Sequence, residues 1–103
     1  MVERKKELIK RSGFNILPDE VEEVIRQVPG VAEVAVIGIA DELRGQRVKA
    51  FVVREMAGEV GTQDILDACS QRLAKYKIPE EIEFIAELPK GPTGKIMKKL
   101  LRG

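Results

Sequence analysis

The hydrophobic pattern of the first thirty residues predicts a short hairpin followed by an amphipathic helix. In Leu8–Ile16, β-prone residues stand on both sides of a polar stretch, which indicates two short strands that turn at Ser12-Gly13. After Pro18 the apolar residues recur at spacings of i, i+3, i+4 and i+7, and carboxylates fill the first turns, where they favour the helix dipole. These apolar positions are Val21, Val24, Ile25 and Val28. The pattern therefore predicts a helix that Pro29-Gly30 ends.

The middle of the chain predicts two strands and a second helix. Val31–Ile39 is rich in β-branched residues and alternates loosely, which is typical of a core strand. A polar connection at residues 41–45 leads to a second strand at Val48–Val53, which we expect to be antiparallel to the first. Thr62 is placed to cap a helix that runs to about Lys75. The apolar face of this helix is formed by Ile65, Leu66, Cys69 and Leu73.

The last third of the chain predicts a third strand, a loop and a short terminal helix. The second helix stops at Tyr76–Pro79, because proline cannot continue it. The third strand contains Ile82, Phe84 and Ile85, and the terminal helix after Gly94 has an apolar side made of Ile96, Leu100 and Leu101. This order of elements predicts a single α+β domain over residues 1–103, in which an N-terminal β-hairpin and a three-stranded sheet are covered by helices.

Composition excludes several classes of function. Apolar residues at 44% and charged residues at 34% indicate a soluble globular domain, and no apolar run approaches the roughly 20 residues that cross a membrane. Residues 3–6 are all charged and the start of the chain develops no apolar signal core, so we expect a cytoplasmic location. With one cysteine and no histidine, an intrachain disulfide, a zinc site and Cys–His or Ser–His chemistry are excluded. Cys69 lies on a helical apolar stripe, which favours a buried hydrophobe over a reactive thiol.

The net charge of +1 conceals a segregation of charge along the chain. Residues 1–11 carry five basic against two acidic side chains, residues 90–103 carry five basic and no acidic ones, and residues 12–89 sum to −7. Basic ends are compatible with nucleic acid, a membrane surface or a phosphorylated ligand. Only Gly13-Phe14 brings an aromatic ring near a glycine at these ends, so the stacking platform of single-strand binders is absent from the sequence. We expect no nucleic-acid partner.

One lysine, Lys95, stands in the loop Leu88–Ile96, which is rich in glycine and proline. Two glycines allow positive φ and close approach to a ligand, while two prolines stiffen the loop, so the ammonium is suited to an anionic ligand. The loop is not a nucleotide-binding phosphate loop, because Pro89 occupies the first glycine position and Ile96 the place of the metal-binding hydroxyl. On the loop alone, a surface turn with a solvated lysine remains the alternative.

The two ends of the chain together resemble one family, the adenylate-forming enzymes, which include acyl-CoA synthetases, peptide-synthetase adenylation domains and luciferases. Arg4–Glu22 resembles the segment that joins the two domains of these enzymes, and Leu88–Ile96 resembles their terminal lysine motif. Between them Pro29–Val36, Asp41–Gln46 and Tyr76–Pro79 match in order. The resemblance covers essentially the whole chain and is greatest to fatty acyl-CoA ligases.

The resemblance implies that the chain is the small carboxyl-terminal domain of a larger ligase. Residues 1–17 would form the hinge and hairpin, residues 18–87 the core, and residues 88–103 the lysine loop and terminal helix. In such enzymes a carboxylic acid and MgATP give an acyl-adenylate and pyrophosphate, and coenzyme A then takes the acyl group as AMP leaves. The small domain rotates between the two halves. The partner would be a large amino-terminal domain, with which the acid, ATP and coenzyme A would bind. Without it we expect the chain to be nearly inactive and to carry no metal.

The same resemblance assigns roles to individual residues. Lys95 would be the catalytic cation of adenylate formation, and Lys6 the hinge, where many members have Asp. Gly13 would line the path of the coenzyme A thiol. The residues assigned to nucleotide or coenzyme A binding are Arg4, Lys10, Arg11, Ser12, Gly13 and Phe14, and those of the lysine loop are Gly91, Pro92, Thr93 and Gly94. For Lys10 and Arg11, solvated surface charge is an equally good explanation. Glu3 stands where many members have Gly.

Two other classes of function stay open at this stage. A free-standing binding or regulatory module with the same fold would dock on proteins or phosphorylated ligands, and the reading frame upstream of Met1 would distinguish it from part of an enzyme. A nucleic-acid binder with basic ends would show binding that falls steeply with salt. Acyl chain length and oligomeric state do not follow from the sequence.

Overall fold

A five-stranded sheet organises the part of the chain that the computed structural model describes, which is residues 8–43, 45–56, 59–92 and 94. In chain order the elements are β1 (Ile9–Arg11), β2 (Phe14–Ile16), α1 (Pro18–Arg26), β3 (Val31–Asp41), β4 (Gly45–Arg54), α2 (Thr62–Arg72), a 3₁₀ turn (Lys75–Lys77) and β5 (Glu81–Phe84). The α+β fold predicted from the sequence is confirmed.

The long antiparallel pair of β3 and β4 forms the centre of the sheet. The strand order is β2-β1-β4-β3, and β5 pairs with β4 in parallel along residues 49–52. Because β3 occupies one side of β4, β1 and β5 both lie along its other side. Among the described residues, β1 pairs with β4 at one position, Arg11 with Gly45. The predicted hairpin and three-stranded sheet are therefore parts of one sheet.

Both faces of the sheet are buried, because residues of β3 and β4 alternate between two apolar clusters. The sheet residues of the first cluster are Val31, Val34, Val36, Val48, Ala50 and Val52, and those of the second are Ala35, Ile37, Phe51 and Val53. Both helices and the hairpin residues Ile9 and Ile16 pack on the first face, which we call the helix face. Leu88 packs on the second, the loop face.

The predicted hairpin, first helix and antiparallel strand pair are confirmed, but the second helix differs at both ends. Thr62 is its first residue and not its cap: Gly61 precedes the helix in an extended conformation, and its N–H donates to Asp64 Oδ2 at 2.9 Å. The helix ends at Arg72, because Leu73 turns to an extended conformation while its side chain stays buried in the core. The predicted terminal helix lies outside the described residues.

Cys69 is buried on α2, as its place on the apolar stripe predicts. Burial raises the pKa of its thiol to about 11, so the thiol is protonated and unreactive near neutral pH.

Candidate functional site

The tip of the hairpin is a two-residue turn with positive φ at both positions. Ser12 has φ +48° and Gly13 has φ +85°, and the pair of Arg11 with Phe14 closes the turn on the strand side. Two consecutive positive φ values are the pattern of a type I′ turn, whose second residue is most often glycine. A Cβ placed on Gly13 would meet nothing within 4 Å in the described residues. The turn conformation therefore explains the glycine, and a side chain there would meet none of the described residues.

The base of the hairpin is fixed by its two isoleucines. Ile9 and Ile16 face each other across the strand pair and are almost fully buried in the helix-face cluster. Next to Ile9 on β1, the exposed Lys10 donates its backbone N–H to Gln46 Oε1 at 2.8 Å, which adds a bond to β4. The ammonium of Lys10 thus stands on an exposed position of a firmly held strand.

The tip is held against residues 76–80 by contacts that we name the tip clamp: Arg11, Phe14, Tyr76 and Glu80. The Arg11 guanidinium donates from Nη1 to the Tyr76 carbonyl at 3.0 Å and pairs through Nη2 with Glu80 Oε1 at 2.6 Å. The Arg11 and Glu80 side chains are only 15% and 22% exposed. The rings of Phe14 and Tyr76 stack with their centroids 4.1 Å apart. The guanidinium of Arg11 is therefore engaged inside the domain, whereas the ammonium of Lys10 makes no such bond to any described residue.

Sequence reasoning identified neither Tyr76 nor Glu80 as part of this site. The motif Tyr76–Pro79 is visible in the sequence, but its contact with the hairpin depends on β1 and β5 lying along the same side of β4. A basic residue in a hairpin and an acidic one 69 positions later carry no local signal that they pair. That pairing follows only from the order of the strands.

The described part of the lysine loop is held to the loop face by one buried side chain and one ion pair. Leu88 is 3% exposed within the loop-face cluster, and Lys90 Nζ lies 3.0 Å from Glu33 Oε2 on β3. Farther on, the Gly94 N–H donates to the Gly91 carbonyl at 2.9 Å and closes a turn. Gly94 has φ +83°, and a Cβ placed on it would meet no described residue within 4 Å apart from its chain neighbours. This turn stands directly before Lys95.

Four of the residues that the sequence singles out lie outside the described residues: Arg4, Lys6, Thr93 and Lys95. The remaining ones fall into two groups. Lys10, Arg11, Ser12, Gly13 and Phe14 come together in the hairpin, and Gly91, Pro92 and Gly94 come together after Leu88. The bases of the two groups pack on opposite faces of the sheet.

Lysines and carboxylates pair closely around β5 and α1. The Lys49 ammonium lies 2.9 Å from both Glu81 and Glu83 and 4.7 Å from the centre of the Phe51 ring. Hydrogen bonding to Glu81, and then to Glu83, raises the pKa of Lys49, and the bond from Lys49 lowers the pKa of Glu81. Lys77 Nζ lies 2.6 Å from Glu20 Oε1, a bond that raises the pKa of Lys77. These pairs tie β5 and the 3₁₀ turn to their neighbours.

A groove of about 940 Å³ opens between α1 and α2. Its walls include Val24, Val28 and Val60 and its rim carries Asp64 and Asp67, and its described lining residues include none from the hairpin or from the lysine loop. Within residues 8–43, 45–56, 59–92 and 94, no three or more Cys, Asp or Glu side chains are grouped to hold a metal ion. In the same residues no helix is long and apolar enough to cross a membrane.

Known proteins are similar to this chain in both sequence and fold. The family described as the AMP-binding enzyme C-terminal domain matches residues 20–95. The long-chain-fatty-acid–CoA ligase FadD13 of Mycobacterium tuberculosis is 47% identical over 100 residues, which are 97% of this chain and 20% of that protein.

Two solved structures show the same arrangement of elements. A fatty acyl CoA synthetase of Mycobacterium tuberculosis has a TM-score of 0.86 and 47% identity, covering 92% of this chain and 19% of its own. ATP-bound MatB from Rhodopseudomonas palustris has a TM-score of 0.90 and 37% identity, covering 94% of this chain and 19% of its own. The chain spans about a fifth of the length of these relatives. The chain belongs to the AMP-binding enzyme C-terminal domain family.

Proposed function

We propose that the chain acts as the mobile small domain of an ATP-dependent fatty acid–CoA ligase in the cytoplasm. The ligase joins a carboxylic acid to AMP with release of pyrophosphate, using MgATP, and then transfers the acyl group to the thiol of coenzyme A with release of AMP. Family membership and the 47% identity to a long-chain-fatty-acid–CoA ligase support this assignment. A large amino-terminal domain supplies the acid pocket and most contacts to the nucleotide and magnesium.

The observation that carries the proposal is the attachment of two loops to opposite faces of one sheet. The hairpin rests on the helix face through Ile9 and Ile16, and the lysine loop rests on the loop face through Leu88. A rigid domain built in this way presents one loop or the other to a fixed active site when it rotates. Lys6 is the proposed hinge for that rotation.

In the first half-reaction Lys95 is the catalytic cation. The acid carboxylate and the α-phosphate of ATP are both anionic, so an ammonium near them offsets their repulsion and stabilises charge in the transition state. Lys95 acts by electrostatics and positioning and not as a base. The turn closed between Gly91 and Gly94 supports this role, because it fixes the point from which the next residue starts.

In the second half-reaction the hairpin tip lines the path of the coenzyme A thiol. Gly13 leaves the space beyond the turn open, which suits the approach of a narrow pantetheine chain. Of the two cations on β1, Lys10 is the better candidate for contact with phosphate oxygens, since it is exposed while Arg11 is held by Tyr76 and Glu80.

Single-turnover measurements on the chain joined to its large domain test these roles. With acid and MgATP, Lys95→Ala should slow adenylate formation about a hundredfold or more, the scale of losing one transition-state charge partner. Lys90→Ala is the matched control, because Lys90 lies in the same loop but pairs with Glu33. Gly13→Leu should slow thioester formation while adenylate formation stays within about twofold. Asn15→Ala is its control, because Asn15 is an exposed residue of β2 in the same hairpin.

Two results would overturn the assignment of roles. One is full adenylate formation by Lys95→Ala, and the other is an equal loss of both half-reactions in Gly13→Leu. The chain of 103 residues alone should give no thioester above background from acid, MgATP and coenzyme A.

A further inference from the structure

Backbone pairing connects the hairpin to the rest of the sheet at few of the described positions. Each of its strands has three residues, and among the described residues one pair, Arg11 with Gly45 at the turn end of β1, connects β1 to β4. A two-stranded hairpin has little stability of its own. Ile9 and Ile16 hold the base in the core, but the turn at Ser12-Gly13 lies beyond them. The position of the tip therefore depends on side-chain contacts in addition to this one backbone pair.

Those contacts are made by the tip clamp. The Arg11 guanidinium forms two bonds at once, to the Tyr76 carbonyl at 3.0 Å and to the Glu80 carboxylate at 2.6 Å. Such a forked arrangement requires arginine, since the lysine ammonium is a single point charge on a flexible stem. The ring of Phe14, on the other side of the turn, stacks on that of Tyr76. The residues on either side of Ser12-Gly13 are thus both held to the same short segment.

That segment is itself fixed to the centre of the sheet. The Glu80 backbone N–H donates to the carbonyl of Val48, a fully buried residue of β4, at 2.9 Å. The Lys77 side chain pairs with Glu20 on α1 at 2.6 Å. The tip clamp consequently joins the hairpin tip to residues 76–80, which are themselves bonded to β4 and to α1.

The Arg11–Glu80 pair is stronger than an ordinary surface ion pair. A charge-assisted hydrogen bond between partly buried groups is less screened by water than one between exposed groups. The pair of Arg26 with Glu23 on α1 offers the contrast: it also measures 2.6 Å, but its side chains are 53% and 60% exposed.

We propose that Arg11 and Glu80 are positioning residues for thioester formation: their ion pair, with the Phe14–Tyr76 stack, sets where Gly13 stands during the second half-reaction. This inference rests on the proposed function of the hairpin, and it assigns the two residues to one half-reaction only. Neither side chain touches a reactant in this account; both act through the position of the turn.

The first test uses the 103-residue chain alone and does not depend on its being part of a ligase. The chain has one tyrosine and no tryptophan, so the ring-proton NMR shifts of Tyr76 report on the stack without overlap from another tyrosine. In Glu80→Gln and Arg11→Lys these shifts should move towards unstacked values, while the matched control Glu23→Gln leaves them unchanged. Unchanged shifts in both clamp variants would overturn the coupling between ion pair and stack.

The second test measures both half-reactions in the joined ligase. Glu80→Gln should lower the single-turnover rate of thioester formation at saturating coenzyme A about tenfold, with adenylate formation within about twofold of wild type. Arg11→Lys, which keeps the charge but loses the fork, should fall between wild type and Glu80→Gln. A purely structural role would lower both half-reactions by the same factor, and that result would refute the inference.

Failure of the inference can be told apart from failure of the proposed function. If the joined wild-type protein forms no thioester, the proposed function is wrong, whatever the NMR shifts show. If wild type is active and Glu80→Gln retains its full thioester rate, the function stands and the positioning role is wrong.

Discussion

The hairpin and the lysine loop are held to the same sheet in different ways. The hairpin has a base of two buried isoleucines, Ile9 and Ile16, and a tip that partly buried side chains clamp to a second segment. The described part of the lysine loop has one buried residue, Leu88, and an exposed ion pair between Lys90 and Glu33. The position of the hairpin tip is thus determined within the domain. That of the lysine loop depends on fewer of the described contacts.

The largest expected effect on stability comes from the base of the hairpin. Ile16→Ala removes a fully buried side chain from the helix-face cluster, to which sixteen of the described residues belong as buried members. It should lower the free energy of unfolding by about 3 kcal/mol. Urea unfolding of the 103-residue chain measures this change. Leu8→Ala is the control, because Leu8 is 39% exposed and should cost far less. Equal losses in the two variants would mean that the hairpin base does not belong to the core.

The corresponding change on the other face should be smaller. Leu88→Ala opens the loop-face cluster, which includes five buried residues in the described part of the chain. We expect a loss of about 2 kcal/mol in the same unfolding experiment. Leu43→Ala serves as the control, since Leu43 is 94% exposed and should change stability by less than about 0.5 kcal/mol. A larger loss of stability in Leu88→Ala than in Ile16→Ala would mean that the lysine loop is held to the sheet more strongly than the hairpin.

The charged pairs at β5 should have a weaker, pH-dependent effect. The Lys49 bond lowers the pKa of Glu81, so this contribution is present above the ordinary value of 4.5 and is lost as pH falls through the lowered pKa. Glu81→Gln should therefore cost about 0.5 kcal/mol at neutral pH, because Glu81 is 40% exposed and screened by water. The difference from wild type should vanish in acid. A stability difference between Glu81→Gln and wild type that grows as pH falls would contradict the lowered pKa of Glu81.

The smallest expected effect is in the turn itself. Ser12 is the one non-glycine residue with positive φ among those described, and asparagine tolerates that conformation better than serine. Ser12→Asn should raise the free energy of unfolding by a few tenths of a kcal/mol. Differential scanning calorimetry against wild type checks this, and a clear loss of stability would argue against the type I′ turn.

The elements that depend on residues close together in the chain could be predicted from the sequence. The turn at Ser12-Gly13 follows from a glycine between two β-prone runs, and α1 follows from its apolar spacing. The burial of Cys69 follows from the same kind of spacing on α2. In each case the residues that decide the outcome are neighbours in the chain.

Features that depend on distant residues could not be predicted in this way. From the sequence, Arg11 and Lys10 were equally good candidates for contact with phosphate. The folded structure shows that the Glu80 carboxylate and the Tyr76 carbonyl bind the Arg11 guanidinium. The start of α2 also differs from the prediction. The Asp64 carboxylate accepts a hydrogen bond from the Gly61 N–H, so Gly61 and not Thr62 is the N-cap, and the helix begins one residue earlier than predicted. The functional roles of Lys6 and Lys95 stay predictions.

The central claim is that the lysine loop serves adenylate formation and the hairpin serves thioester formation. The most direct test of this claim starts from acyl-adenylate and so omits the first half-reaction. The joined ligase carrying Lys95→Ala is given synthetic acyl-adenylate and coenzyme A, and thioester formation is followed in a single turnover. We expect a rate within about twofold of wild type, because the lysine serves only adenylate formation, while Gly13→Leu should stay slow under the same conditions. A Lys95→Ala enzyme that is as slow from acyl-adenylate as from acid and ATP would contradict the account.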